Sequence, residues 1–159
     1  MWIRIGIAAL IAVVLALPIS TGLATSNDYP VGRAYLAATS SSGVTGTAIV
    51  TRQLTASQTH VMVRLSGLAI KQPVTWQIVA GAYCGFPPTS TLMRQVGSNV
   101  ATGLGTVMTS EYQSATLNVT SGSAQMTLRV YDYSKGSAGA ELACGQIYGQ
   151  PSLGSMHWW

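Results

Sequence analysis

Between residues 33 and 131 the chain runs in short stretches that alternate polar with apolar side chains and are cut by glycine, serine and asparagine. Thr59-His60-Val61-Met62-Val63-Arg64-Leu65 is the clearest of them. Successive side chains of a strand point to opposite faces, so Val61, Val63 and Leu65 share one face of a half-buried strand. Ser66-Gly67-Leu68 closes that run and a loop follows through Lys71 and Pro73. The same reading predicts strands over Arg33–Ala38, Gly46–Leu54, Thr75–Ala80, Leu92–Val96, Leu104–Thr109, Ala115–Val119 and Ala124–Tyr131. Another begins near Glu141. No segment sustains a helical period, and no internal repeat or linker interrupts the pattern. Short strands about ten residues apart with turn residues between them imply an all-β antiparallel sandwich or barrel.

Composition agrees: of 159 residues only 8% are charged and 17 are glycine, which suits one β-rich domain better than a helical bundle. The first two dozen residues stand apart. Residues 2 to 17 are apolar except for Arg4, Pro18 and Ser20-Thr21 cut the stretch short, and Gly22 and Ala24 are small. This reads as a secretory signal over residues 1–24, cleaved after Ala24. The alternative is an uncleaved anchor, the only membrane contact the sequence suggests. A domain over residues 25–150 and a tail over 151–159 follow. The expected location is outside the cytoplasm: secreted, periplasmic or in the cell envelope.

Without Arg4, seven basic and four acidic side chains remain, and the basic ones are scattered singly from Arg33 to Lys135. Nucleic-acid binding is excluded on this ground, because counterion release needs several cations on one face. Asn118-Val119-Thr120 is a glycosylation acceptor only under a eukaryotic secretory route.

The two cysteines, Cys84 and Cys144, are most simply one disulfide in an exported chain. A redox or metal thiol pair is the alternative, although neither has a second cysteine or a histidine within a few residues. A cross-link over about 60 residues would stabilise by roughly 4 kcal/mol through loop entropy.

Two segments carry a resemblance. Thr75-Trp76-Gln77-Ile78-Val79-Ala80-Gly81-Ala82-Tyr83-Cys84 and Leu142-Ala143-Cys144-Gly145-Gln146-Ile147 resemble the disulfide-bearing segments of copper/zinc superoxide dismutases. Val63-Arg64-Leu65-Ser66-Gly67-Leu68, Leu104-Gly105-Thr106-Val107 and Thr127-Leu128-Arg129-Val130-Tyr131-Asp132 are similar to further family segments, in the same order. The resemblance implies a Greek-key β-sandwich or barrel with one intradomain disulfide joining Cys84 and Cys144. It also implies where metal chemistry would stand. The first two copper histidines fall on Gln77 and Val79, the third on Tyr131, the zinc aspartate on Gly103 and the guiding arginine on Glu141. Every carried-over position is substituted, and Cys84 to Leu104 contains no histidine for the zinc loop. If the correspondence holds, Gln77, Val79 and Tyr131 converge to within roughly 10 Å, on the scale of neighbouring strands.

Counting ligands leads the same way without any family. A copper or zinc site needs at least three imidazole, carboxylate or thiolate donors within about 2.0–2.3 Å of the ion. Beyond the first 24 residues the chain offers His60, expected on a strand's polar face, and His157 in the tail Met156-His157-Trp158-Trp159. Its carboxylates are Asp28, Glu111, Asp132 and Glu141. No Gly-x-Ser-x-Gly elbow is present. The expectation is therefore no metal, no other cofactor and no catalytic residue. Trp76, Tyr83 and Tyr133 are expected near the vacated region, either as core filling or as an aromatic contact patch.

The resulting expectation is an exported, non-catalytic, superoxide-dismutase-like sandwich that binds a protein or surface partner or acts structurally, with self-association also compatible. The alternatives are a superoxide dismutase with a degenerate or partner-completed site, and an unrelated extracellular adhesion module.

Overall fold

The computed structural model describes residues 28–39, 41–53, 57–81, 83–115, 117 and 124–149. The expected signal and tail, with His157, and the Asn118 triplet lie outside them. Nine strands are present among the described residues: β1 (Asp28–Ala38), β2 (Thr45–Gln53), β3 (Gln58–Ser66), β4 (Pro73–Ala80), β5 (Ser90–Arg94), β6 (Asn99–Val100), β7 (Val107–Gln113), β8 (Ala124–Asp132) and β9 (Glu141–Gly149). No described helix is long and apolar enough to cross a membrane.

All pairings are antiparallel, in the order β5-β4-β8-β9-β1-β2-β3-β7, with β6 also on β4. β1, β2 and β3 follow one another directly and β9 lies beside β1, while the non-consecutive pairings β3–β7 and β4–β8 supply the crossovers of a Greek-key barrel. The sheet curls until its end strands β5 and β7 nearly meet. Side chains close the seam: Gln113 Nε2 donates to the Arg94 carbonyl at 3.0 Å, and the Val96 N–H donates to Glu111 Oε1 at 3.1 Å.

Period-two alternation decides which residues fill the interior. Val61, Val63 and Leu65 of β3 are buried together with Ala48 and Val50 of β2, Val74, Trp76 and Ile78 of β4, and Met126, Leu128 and Val130 of β8. Trp76 crosses this interior and donates its indole N–H to Thr109 Oγ1 on β7 at 3.1 Å, so the largest core side chain keeps its one polar atom bonded.

Expected and observed strands differ at several places. The strand expected over Leu104–Thr109 begins only at Val107, because Thr102–Thr106 is a turn closed by Thr102 N–H donating to the Thr106 carbonyl at 2.8 Å. Gly105 in that turn has φ +66°, and a Cβ there would stand 2.4 Å from the Leu68 carbonyl oxygen, so only glycine fits. The strand expected over Ala115–Val119 is absent at its described residues: β7 already ends at Gln113, and Leu117 turns inward, its N–H bonded to the buried Thr59 hydroxyl at 3.2 Å. The short β6 carries no alternation long enough to read.

Candidate functional site

The outward face of β4, β8 and β9 holds the positions that the resemblance singled out, and the register arranges them as a grid. Thr75, Tyr131 and Glu141 form one row. Gln77, Arg129 and Cys144 form the next, and Val79, Thr127 and Gln146 the third. These side chains alternate with the core set, so the pleat that buries Trp76, Ile78, Leu128 and Val130 turns Gln77, Arg129 and Tyr131 to the other side.

Gln77 and Tyr131 are diagonal neighbours on this face, a relation that spans about 7–8 Å between strands. Val79 stands two rows from Tyr131, roughly 14 Å along the strand direction at 3.4 Å per residue. The three therefore share a face without forming one cluster, which corrects the expected convergence: Gln77 sits between the other two. Gly103 does not join them, since it lies in the exposed turn between β6 and β7. Glu141 does, as the row partner of Tyr131.

The centre of the grid is Arg129, which sequence reasoning missed. Its guanidinium donates through Nη1 to Glu141 Oε2 at 3.0 Å, the side chains being 7% and 19% exposed. Nη2 donates to the Tyr83 carbonyl at 3.3 Å and to the Phe86 carbonyl. Nε is buried without a partner. The loop carrying Tyr83 and Phe86 is fastened over Arg129 by the Cys84–Cys144 disulfide, with Cα atoms 5.8 Å apart, and by Thr127 Oγ1 donating to the Gly81 carbonyl at 2.5 Å. A Cβ at Gly145 would lie 2.2 Å from the Tyr35 carbonyl oxygen, so β9 can approach β1 at this point only with glycine beside the cysteine.

Electrostatics follow from this geometry. Burial holds the Tyr131 phenol above its ordinary pKa, and the Glu141 carboxylate adds to that shift, while Arg129 opposes both by charge and hydrogen bond. Beyond the grid, Asp132 accepts from the Ser134 hydroxyl at 2.7 Å and from Gln72 Nε2 at 3.1 Å, and these bonds hold its carboxyl below the usual range.

The face offers cavities but few metal donors. A cavity of about 660 Å³ opens beside the disulfide, lined by Thr39, Cys84, Phe86, Pro87, Arg129 and Glu141. Another of about 450 Å³ is lined by Thr75, Gln77, Arg94, Gln95 and Tyr133 among others. No three His, Cys, Asp or Glu side chains gather in ligating geometry among the described residues. A guanidinium, which carries only donors and keeps its charge, occupies the middle of the face.

The aromatic patch expected from Trp76, Tyr83 and Tyr133 divides into three environments, because Trp76 has the opposite strand parity to Gln77 and packs in the core. Tyr83 is exposed on the disulfide loop, edge-to-face with Phe86 at 6.3 Å between ring centroids. Tyr133, just past β8, lines the 450 Å³ cavity. His60 projects from β3, on the other half of the sheet, where it stacks on Tyr112 at 4.1 Å and bonds Ser110 Oγ at 2.8 Å. No protein-family model matches the chain, and no curated protein matches it.

Proposed function

We propose that this chain is an exported, non-catalytic domain on a superoxide-dismutase-like frame, acting by binding or as a structural element. The observation that carries the reading is Arg129 at the centre of the β4–β8–β9 face. A buried guanidinium, bonded to Glu141 and to two loop carbonyls, fills with hydrogen-bond donors the place where the resemblance would put copper, and a group without lone pairs to offer cannot ligate a cation. Gln77, Val79 and Tyr131 around it are not a copper ligand set. The Cys84–Cys144 bridge and the Greek-key order support the frame, and a disulfide of this kind is compatible with an oxidising, exported location.

The test is a superoxide dismutation assay on the oxidised chain, before and after incubation with copper and zinc followed by dialysis. No rate above the dialysed buffer control is expected. A rate that survives dialysis and scales with chain concentration would overturn the proposal in favour of a degenerate enzyme.

A further inference from the structure

The outward face of the other half of the sheet, β1-β2-β3-β7, has a different character. Its register gives a row Tyr35, Thr47, Arg64, Met108 and beside it a row Arg33, Ile49, Met62, Ser110. Tyr35 is 70% exposed and Met108 58%. They flank a groove of about 760 Å³ whose walls include Thr47, Arg64, Thr102 and Thr106. The turn that supplies Thr102 and Thr106 also holds out Leu104, 89% exposed. Tyrosine, methionine and arginine are the residue types enriched at protein interfaces, and here they stand together on one sheet face.

Charge says what fits there. Neither row contains a carboxylate. The described acidic side chains are engaged elsewhere: Glu141 with Arg129, Asp132 with Gln72 and Ser134, Glu111 with Gln113 and the Val96 N–H. Arg33 and Arg64 are exposed and have no ion-pair partner among the described residues. They lie two strands and one row apart, about 12 Å at ordinary strand spacings. A second copy docking face to face would set like charges against each other. Two guanidinium groups are too few to hold a polyanion by counterion release.

We infer that this face docks an acidic protein segment, which seats an apolar or aromatic side chain in the Tyr35–Met108 groove and sets carboxylates opposite Arg64 and Arg33. The inference deepens the binding role proposed above by naming its surface and the chemistry of its partner. It rests on that reading only in this respect, since a metal content found at the opposite face would leave the groove and its charge unchanged.

The experiment is selection of random displayed peptides on the immobilised full chain, followed by solution titration of the synthesised winners. Winners carrying Asp or Glu on both sides of an apolar or aromatic residue are expected, with binding weakened at least tenfold by Arg64→Glu and by Tyr35→Ser and unchanged by Lys135→Ala. All three sites are exposed, and an unaltered thermal transition would show that the variants fold. Mild peroxide should oxidise Met108 in the free chain as readily as an exposed methionine, and a saturating winner should protect it. Winners without acidic bias, indifference to Arg64→Glu, or failure to select any peptide would overturn the inference. So would Met108 protected in the free chain, or a concentration-dependent dimer abolished by Tyr35→Ser, since either would show the face already covered by the chain itself or by a second copy. Preferential binding of the chain to vesicles of anionic lipid through Arg64 would equally reject a protein partner.

Discussion

Arg129 lies opposite Cys144 in the β8–β9 register and reaches along the face to Glu141, one row away, with 3.0 Å between Nη1 and Oε2. One side chain thus ties together the two strands, the disulfide and the loop that the disulfide fastens. It is the point at which the fold and the proposed loss of metal chemistry meet.

Removing one member of this pair should be costly, because it leaves a buried charge uncompensated. Glu141→Leu is expected to lower unfolding stability by about 3 kcal/mol, and Arg129→Leu by a similar amount. The double substitution should recover at least about half of that loss, since a well-packed apolar pair often matches a buried ion pair. Urea unfolding of the three variants in a double-mutant cycle checks this, and simple additivity would contradict it.

The disulfide and Arg129 should depend on each other. Each Cys→Ser change is expected to destabilise by roughly 2–5 kcal/mol, the range for native bridges in exported domains. Freed from Cys144, the loop should hold its Tyr83 and Phe86 carbonyls less firmly against Arg129. Hydrogen exchange at Arg129 and Cys144 in β8 and β9 should therefore rise more than in β2 and β3. Thiol titration of the oxidised, unfolded chain should find no free thiol.

Acid stability should report Asp132. Its folded carboxyl is held below the ordinary value of 3.8 by Ser134 and Gln72, so the folded state favours the charged form. That contribution is complete above the unfolded pKa and is lost as pH falls through the lower folded pKa. Asp132→Asn should flatten the acid limb of stability below about pH 4 without altering the alkaline limb. Tyr131 acts at the other end. Its raised pKa means that stability is lost as pH rises above 10.0 towards the folded value, and Tyr131→Phe should abolish that loss.

Much of this was legible before any coordinates. Alternation in Thr59–Leu65 gave the buried face of β3, and a strand was expected over Ala124–Tyr131, where β8 lies. The cysteine segments gave the bridge. What could not be read was depth. Period two assigns Arg129 to the outer face but is silent on the loop that covers it, because that cover comes from Tyr83 and Phe86, held there by the bond from Cys84 to Cys144. The misplaced Trp76 has a related cause: an aromatic next to a candidate site in sequence lies, in a strand, on the opposite face. The convergence expected of Val79 failed on register, since strand neighbours two rows apart are too distant to share a ligand. Leu104 was read into a strand because the turn at Gly105 is set by a contact with Leu68, far away in sequence.

Metal stoichiometry tests the central claim most directly. The oxidised chain, incubated with equimolar copper and zinc at micromolar concentration and then dialysed, should retain well under one ion of either metal per chain by elemental analysis, because Arg129 occupies the face and no ligating triad surrounds it among the described residues. About one copper or zinc per chain that survives dialysis, and is lost on substituting Gln77 or Tyr131, would contradict the account.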